Sequence, residues 1–376
     1  MRVIHFILDH RVGGPHVYYA TLKRALPDSV TTVLATGGSG PMTEIALLNL
    51  RQFGRGLYPV EVICNTILIA LRYGFRHRPA LFHVHGAANL APILAAVFVR
   101  LPVVWQWHET LPAHARLAHL CSWMLRLTRH SVLSVADVRP GLFGNDHPDI
   151  VPGLVDSHFW APPDAGLPTT APSFGSPLRL IVVANLNPLK GVDVLLAALE
   201  HINHPIALRI VGSRLHTQST HAEELERMAA ALRCSRPMHS IEFLGRKSAS
   251  EVRGELAQSD VFVLPSRSEA CPIALLEAMA MALPCAATDV GSVRSMLPAE
   301  QCEFVCPPEN PKALAHAVQR LADLDPVARR SMGMKNRAAA ISSHSPAEIA
   351  RRILAHYRRL GPHGHRASAP TTDPSH

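Results

Sequence analysis

Val261-Phe262-Val263-Leu264-Pro265-Ser266-Arg267-Ser268-Glu269-Ala270-Cys271-Pro272-Ile273-Ala274-Leu275-Leu276-Glu277-Ala278-Met279-Ala280 is the stretch on which the reading of this chain turns. Its first four residues are apolar throughout, as in a strand buried on both faces. Pro265 ends the strand, and a short loop carries Glu269. Pro272 suits the first turn of a helix, where its missing N–H costs nothing. The amides near Cys271, Ile273 and Ala274 are then the unpaired donors of a helix N-terminus, which favours an anion. Glu277 follows about two turns after Glu269, and two carboxylates beside such a site can accept hydrogen bonds from sugar or ribose hydroxyls. Spacing alone favours a plainer reading. In that reading Glu277 is an ordinary helix residue and Glu269 complements the helix dipole.

Outward from this stretch, short apolar runs alternate with helical ones. Strands are expected at Val3–Leu8, Val30–Ala35, Leu81–His85, Val103–Trp107 and Ser131–Val135. They resume at Leu178–Ala184, Ile206–Val211, Ile241–Leu244, Val261–Leu264 and Pro284–Thr288. Helices are expected at His16–Ala25, Ala113–Thr128, Gly191–Glu200, Glu223–Arg233, Ala249–Gln258, Ile273–Met281 and Ala347–Leu360. Such alternation predicts parallel sheets covered by helices. A Pro/Gly/Ser-rich stretch from Trp160 to Pro177 reads as a linker between two α/β halves. Two halves place a ligand in the cleft between them, at the C-terminal ends of strands. Residues 361–376 are polar and rich in Pro and His, and read as a disordered tail.

The 376 residues suit two domains, and 48% hydrophobic with 18% charged residues describes a globular chain. Aromatic content of 5% argues against a base-stacking nucleic-acid binder. Seven cysteines, at 64, 121, 234, 271, 285, 302 and 306, contain no CxxC pair. They read as reduced thiols of a cytoplasmic protein, with no metal site. The run from Leu90 to Val99 is about half of what a membrane span needs. The net charge of +8 favours acidic partners: phosphates, nucleotides or an anionic membrane surface. No basic cluster is long enough for a nucleic-acid arm.

The Glu269–Glu277 stretch resembles the Glu-x7-Glu signature of glycosyltransferase family 4, whose members retain anomeric configuration and have the GT-B fold. Similar too are Leu186-Asn187-Pro188-Leu189-Lys190-Gly191, Leu208–Gly212, Phe243-Leu244-Gly245-Arg246, Asp260–Ser266 and Glu277–Gly291, in the family's order over residues 178–345. The resemblance implies two Rossmann-like domains facing across a cleft. Residues 1–165 form the acceptor-side domain and 176–345 the nucleotide-sugar domain, and the helix 346–360 packs back on the first. It implies that Glu269 lies against the donor sugar, with the amides at Cys271 and Ile273 on hydroxyls and diphosphate. Glu277 would hold the ribose, Lys190 would neutralise the leaving diphosphate, and Gly245, Arg246 and Lys247 would border the base. Gly13 and Gly14 resemble the family's glycine turn at the phosphates, and His108 resembles its histidine near the donor sugar.

Cation and helix dipole then replace an essential metal, and no cofactor is implied beyond the nucleoside diphosphate sugar itself. The acceptor would be a glycan or glycolipid, with the positive surface docking on anionic membrane. Two departures stand out. Asn185 occupies the family's usual arginine position, and Val151-Pro152-Gly153 replaces its Asn-Gly. Arg214, Arg246 and Lys247 are candidate substitutes for the missing cation. His83 and His85, at a strand end, read as structural. A non-catalytic scaffold of the same fold and a nucleotide-sugar epimerase remain alternative functions.

Overall fold

The computed structural model describes residues 1–8, 14–53, 55–74, 78–86, 89–108, 120, 122–136, 148–163, 176–214 and 219–361. Gly13, half of the expected helix Ala113–Thr128, much of the linker and nearly all of the tail lie outside the described residues. The chain divides into two compact units. One joins Met1–Pro152 to Pro346–His376, and the other is Gly153–Ser345.

In the first unit seven strands form an all-parallel sheet in the order β3-β2-β1-β4-β5-β6-β7. They are β1 Arg2–Ile7, β2 Thr31–Gly37, β3 Ile45–Leu47, β4 Leu81–His85, β5 Val103–Trp107, β6 His130–Ser134 and β7 Asp149–Ile150. Strand alternation splits the side chains between two faces. Ile4, Phe6, Phe82, Val84, Val103 and Trp105 share one core with the helices Tyr58–Gly74 and Leu90–Val99. His5, His83, His85 and Gln106 have the opposite parity. Their face is approached by Tyr19 of the helix Gly14–Ala25 and Tyr357 of the helix Pro346–Leu360.

The second unit repeats the plan with six parallel strands in the order β10-β9-β8-β11-β12-β13. These are β8 Leu178–Val183, β9 Ile206–Val211, β10 Ser240–Gly245, β11 Val261–Leu264, β12 Cys285–Thr288 and β13 Val305–Cys306. Leu180, Val182, Leu208 and Ile210 face one core with the helices Val192–Leu199, Ser219–Ser235 and Pro311–Asp323. Ile181, Phe262 and Leu264 face another with the helices Ala249–Ala257, Ile273–Ala280 and Pro326–His344. Ser248 and Glu251 cap the helix Ala249–Ala257 reciprocally, a local reason for its start.

The unit boundary falls at Pro152–Gly153, ahead of the expected limit at residue 165 and of the linker expected from composition. Val155 and Trp160 lie in the core that contains Leu276 and Met279. A β-carbon on Gly153 would sit 2.7 Å from Cys271 Sγ. The Pro-rich stretch thus follows the boundary rather than marking it, because burial and not composition decides membership.

In both sheets the chain steps outward one way from a central strand, then returns and steps outward the other way. The reversal lies between β1 and β4 in one unit and between β8 and β11 in the other. Loops leaving such a pair diverge and open a crevice at the carboxyl ends of the strands. In the second unit Gly191 lets those loops touch. Its φ is +64°, and a β-carbon there would stand 2.0 Å from Pro265 O. Gly191→Ala should cost about 3 kcal/mol or more, through left-handed strain and a backbone collision together. A urea unfolding midpoint close to the unchanged protein's would refute this account of the contact.

Candidate functional site

Lys190 ends the short turn Pro188–Lys190 after β8, and Glu269 lies in the loop after β11. Lys190 Nζ donates to Glu269 Oε1 at 2.7 Å, and Ser266 Oγ donates to the same oxygen at 2.8 Å. The lysine side chain is 30% exposed and the carboxylate 12%, so the ammonium keeps access to an incoming group. Arg267 braces the pair from behind. It forms a two-pronged contact with Asp193 at 2.7 and 2.8 Å, reaches Glu309 at 2.7 Å, and donates its backbone N–H to Leu189 O. A bidentate guanidinium pair fixes geometry as well as charge, so the two loops are held as one piece.

The loop continues into the helix Ile273–Ala280, whose N-cap is Pro272. Ser292 N–H donates to Ala270 O at 2.8 Å, and Gly291 crosses so close to Glu269 O that a β-carbon would lie 2.2 Å from it. On the other side the helix Pro326–His344 packs against it. Asn336 Nδ2 donates to Leu283 O and Gln301 Oε1 at 2.8 Å each, and Gly333 abuts Ala282 O. Glu277 sits in the second turn of the helix and its carboxylate has no hydrogen-bonding or ionic partner among the described residues. Burial pushes its pKa up to about 8. Such a carboxyl is available to a ligand that brings hydroxyl donors.

The remaining expected residues of this unit take separate places. Asn185 is exposed, and its Oδ1 accepts from Ser213 N at 3.2 Å, tying the ends of β8 and β9 together. Gly245 ends β10 with φ +68° and open space beside it. Arg246 is exposed and has no partner among the described residues, whereas Lys247 pairs with Glu255 and Arg214 with Glu226. Of the three candidate substitutes for the missing arginine, only Arg246 is uncommitted. Cys271 lies against Gly153 and Met296, and burial raises its thiol pKa.

The first unit holds a different chemistry at its own switch point. His5 Nδ1 and His85 Nε2 are 3.0 Å apart, and His85 Nδ1 and His108 Nε2 are 2.9 Å apart. Tyr357 OH lies 2.7 Å from His83 Nδ1 and 3.2 Å from His5 Nε2, while His83 Nε2 meets Gln106 Oε1 at 2.9 Å. A neutral imidazole donates through one nitrogen and accepts through the other. With Gln106 Oε1 accepting from His83, the bonds run one way through Tyr357, His5 and His85, and His108 donates from Nε2. His108 follows β5, is partly exposed, and has no hydrogen bond at Nδ1 with a described residue. Burial lowers His5 to about 3 and His108 to about 4, and holds His83 and His85 well below the usual range.

His5, His83 and His85 also bring three potential metal-ligand atoms within 4.8 Å of one another. The rings of His83 and His85 stack at 14° with centroids 4.3 Å apart, so their in-plane lone pairs run side by side rather than converge. Both nitrogens of His83 are already hydrogen-bonded. The trio is therefore arranged for hydrogen bonding. Gly14 opens the helix Gly14–Ala25 and is exposed, with open space among the described residues where a β-carbon would stand.

Residues 171–339 match the family Glycosyl transferases group 1. A D-inositol 3-phosphate glycosyltransferase of Corynebacterium jeikeium is 28% identical over 227 residues, 58% of this chain and 52% of that protein. A glycogen synthase of Mycobacterium tuberculosis is 29% identical over 281 residues, 69% of this chain and 64% of its own length. The chain thus spans between about half and two thirds of these relatives. Among solved structures, Anabaena Alr3699/HepE in complex with UDP and glucose superposes with a TM-score of 0.77 at 15% identity, over 94% of this chain and 98% of that one. A sucrose-phosphate synthase of Thermosynechococcus elongatus gives 0.74 at 18% identity, over 96% and 98%. These likenesses establish the GT-B fold class expected from the sequence.

Arg267, Ser266, His5, Gln106 and Tyr357 were not singled out by sequence. Arg267 had a signal in its place between Pro265 and Glu269, but its partner Asp193 is distant in the chain. His5 shares an odd-parity face with His83 and His85 only once β1 and β4 are paired.

Two pH effects follow. Glu277 has a folded pKa near 8 against 4.5 unfolded, so the folded state binds the extra proton between those values and loses stability as pH rises through them. Glu277→Gln should therefore gain stability relative to the parent between pH 5 and 8, read as denaturation midpoints, and a constant difference would refute the buried carboxyl. The histidines have the opposite sign. Their folded pKa values lie below 6.5, so the unfolded chain takes up protons first and stability falls on acidification from 6.5 towards 4. Tyr357→Phe leaves two buried imidazole nitrogens without a partner and should cost about 2–4 kcal/mol at neutral pH.

Proposed function

We propose that this chain is a retaining glycosyltransferase. It would move a sugar from a nucleoside diphosphate sugar to a hydroxyl of a glycan or glycolipid acceptor, in the synthesis of cell-surface polysaccharide or glycolipid. The observation that carries this reading is the braced Lys190–Glu269 pair beside the N-terminus of the helix Ile273–Ala280, with the unpartnered carboxyl of Glu277 on the same helix. Breaking a glycosidic bond to a nucleoside diphosphate develops negative charge on the leaving oxygens. A partly exposed ammonium and free helix amides meet that charge with little reorganisation and without an essential metal. Glu269 holds the lysine in place and accepts from a sugar hydroxyl. Glu277 accepts from the ribose hydroxyls, and Gly245 and Arg246 border the base. His108 adds a neutral hydrogen-bond acceptor for a sugar hydroxyl.

Support comes from the names of the relatives and from the Anabaena structure, which holds UDP and glucose. UDP-glucose is accordingly the first donor to try. No described helix is long and apolar enough to cross a membrane.

The test is a thermal-shift and calorimetric panel of UDP, GDP, ADP, TDP and CDP with their sugars. A nucleotide at one hundred times its Kd should add about 2.7 kcal/mol of stability, and Glu277→Ala should abolish the response. Lys190→Ala should lower kcat by about a hundredfold or more while leaving nucleoside binding largely intact. If no nucleotide stabilises the protein, the scaffold reading takes over. If the donor sugar is altered with no acceptor present, the epimerase reading does.

A further inference from the structure

The helix Tyr58–Gly74 is apolar on both sides. Val62, Ile69 and Tyr73 enter the core of the first unit. On the opposite side Val60, Ile63, Ile67, Leu68 and Leu71 are 48%, 60%, 52%, 47% and 64% exposed. Their spacing of three, four, one and three residues keeps all five on one stripe along the helix. The helix Leu90–Val99 packs alongside, and its Phe98 is 74% exposed. A β-carbon on Gly74 would lie 3.2 Å from Val99, so Leu71 and Phe98 stand at the same end of the helix pair. Isolated exposed apolar residues are ordinary; an unbroken stripe of this kind marks an interaction surface.

Charge selects the partner. Arg72 flanks the stripe, and Arg78 donates to Val99 O and Arg100 O at the end where Phe98 stands. Arg72, Arg78 and Arg100 are exposed. From residue 45 to 108 the described residues include one carboxylate, Glu61, and it is 2% exposed. An apolar stripe with arginines at its edge and no exposed acid suits the headgroup boundary of an anionic bilayer. The helix cannot leave its unit, since its other face is core, and at 17 residues it is suited to lie along a membrane rather than cross it.

We propose that the stripe Val60–Leu71 with Phe98 is the membrane-docking face of this protein, and that its partner is a lipid surface carrying anionic headgroups. It gives the glycolipid acceptor of the proposed function a route to the enzyme, yet it stands on its own observations and is tested apart from catalysis.

The experiment is co-sedimentation of the full chain with vesicles of phosphatidylcholine alone and of phosphatidylcholine mixed with phosphatidylglycerol. The unchanged protein should pellet with the mixed vesicles, less so at high salt. Ile63→Glu combined with Leu71→Glu should weaken that binding by about tenfold or more. Both positions are exposed, so the melting temperature and nucleotide response should stay at the parent values. Arg72→Gln with Arg100→Gln should remove the preference for anionic vesicles and leave the weaker binding to neutral ones. The proposal is overturned if the unchanged protein stays in solution with every vesicle, or if the double glutamate variant pellets as before. It is equally overturned if sedimentation equilibrium shows a dimer that the glutamates dissolve, since the stripe is then a contact between two copies. Nucleotide binding without vesicle binding sinks this inference alone, and the converse sinks the transferase reading alone.

Discussion

The backbone contact of Gly191 with Pro265 is the constraint from which the second unit's site follows. Two loops leaving adjacent parallel strands ordinarily diverge at the point where strand order reverses. Here one residue without a side chain lets them meet, with 2.0 Å between a hypothetical β-carbon and the opposite carbonyl oxygen. Once they meet, Lys190 on one loop and Glu269 on the other fall within 2.7 Å, and Arg267 can reach Asp193 across the same seam. The ion pair is therefore a consequence of backbone packing rather than its cause. Partly exposed pairs contribute little stability by themselves, whereas a seam of fixed backbone and a bidentate guanidinium sets where charge stands.

The two units place opposite chemistry on the same topology. In the second, charged groups stay accessible at the strand ends, and Glu277 alone is held largely protonated by burial. In the first, burial keeps four histidines neutral, and no carboxylate of a described residue is paired with them. Burying an unpaired charge costs far more than burying a neutral ring, so the column is stable only as a hydrogen-bonded chain. That chain hands its direction from Gln106 to the partly exposed His108, through Tyr357 on the C-terminal helix.

Legibility in the sequence divided along physical lines. Leu81–His85, Val103–Trp107, Ile206–Val211 and Val261–Leu264 have the bounds read from the sequence; the last is apolar throughout, and the other three are mainly apolar, interrupted only by His83, His85, Gln106 and Arg209. The edge strands Ile45–Leu47, Asp149–Ile150 and Val305–Cys306 are too short to leave such a run. The family resemblance set Lys190 and Glu269 at one site, and the structure adds their direct contact. The brace at Arg267 was not readable, because a partner 74 residues away leaves no local signal. Tyr357 lies 274 residues from His83, and only the return of the last helix to the first unit joins them.

The helix Tyr58–Gly74 escaped sequence reading for the reason that makes it informative. Helical periodicity is detected as an apolar stripe set against a polar one. With Val62, Ile69 and Tyr73 on one side and Ile63, Ile67 and Leu71 on the other, the apolar residues are spread over two faces and no single apolar stripe stands out, although Glu61, Asn65 and Arg72 interrupt them. A surface helix of a protein surrounded only by water gains nothing from a second apolar face. Such a face enlarges the area exposed to solvent at a cost of roughly 25 cal/mol for each Å² and invites self-association. The second apolar side and the exposed stripe are one property of the sequence. It is accounted for when water is not the only medium against which that side of the helix packs.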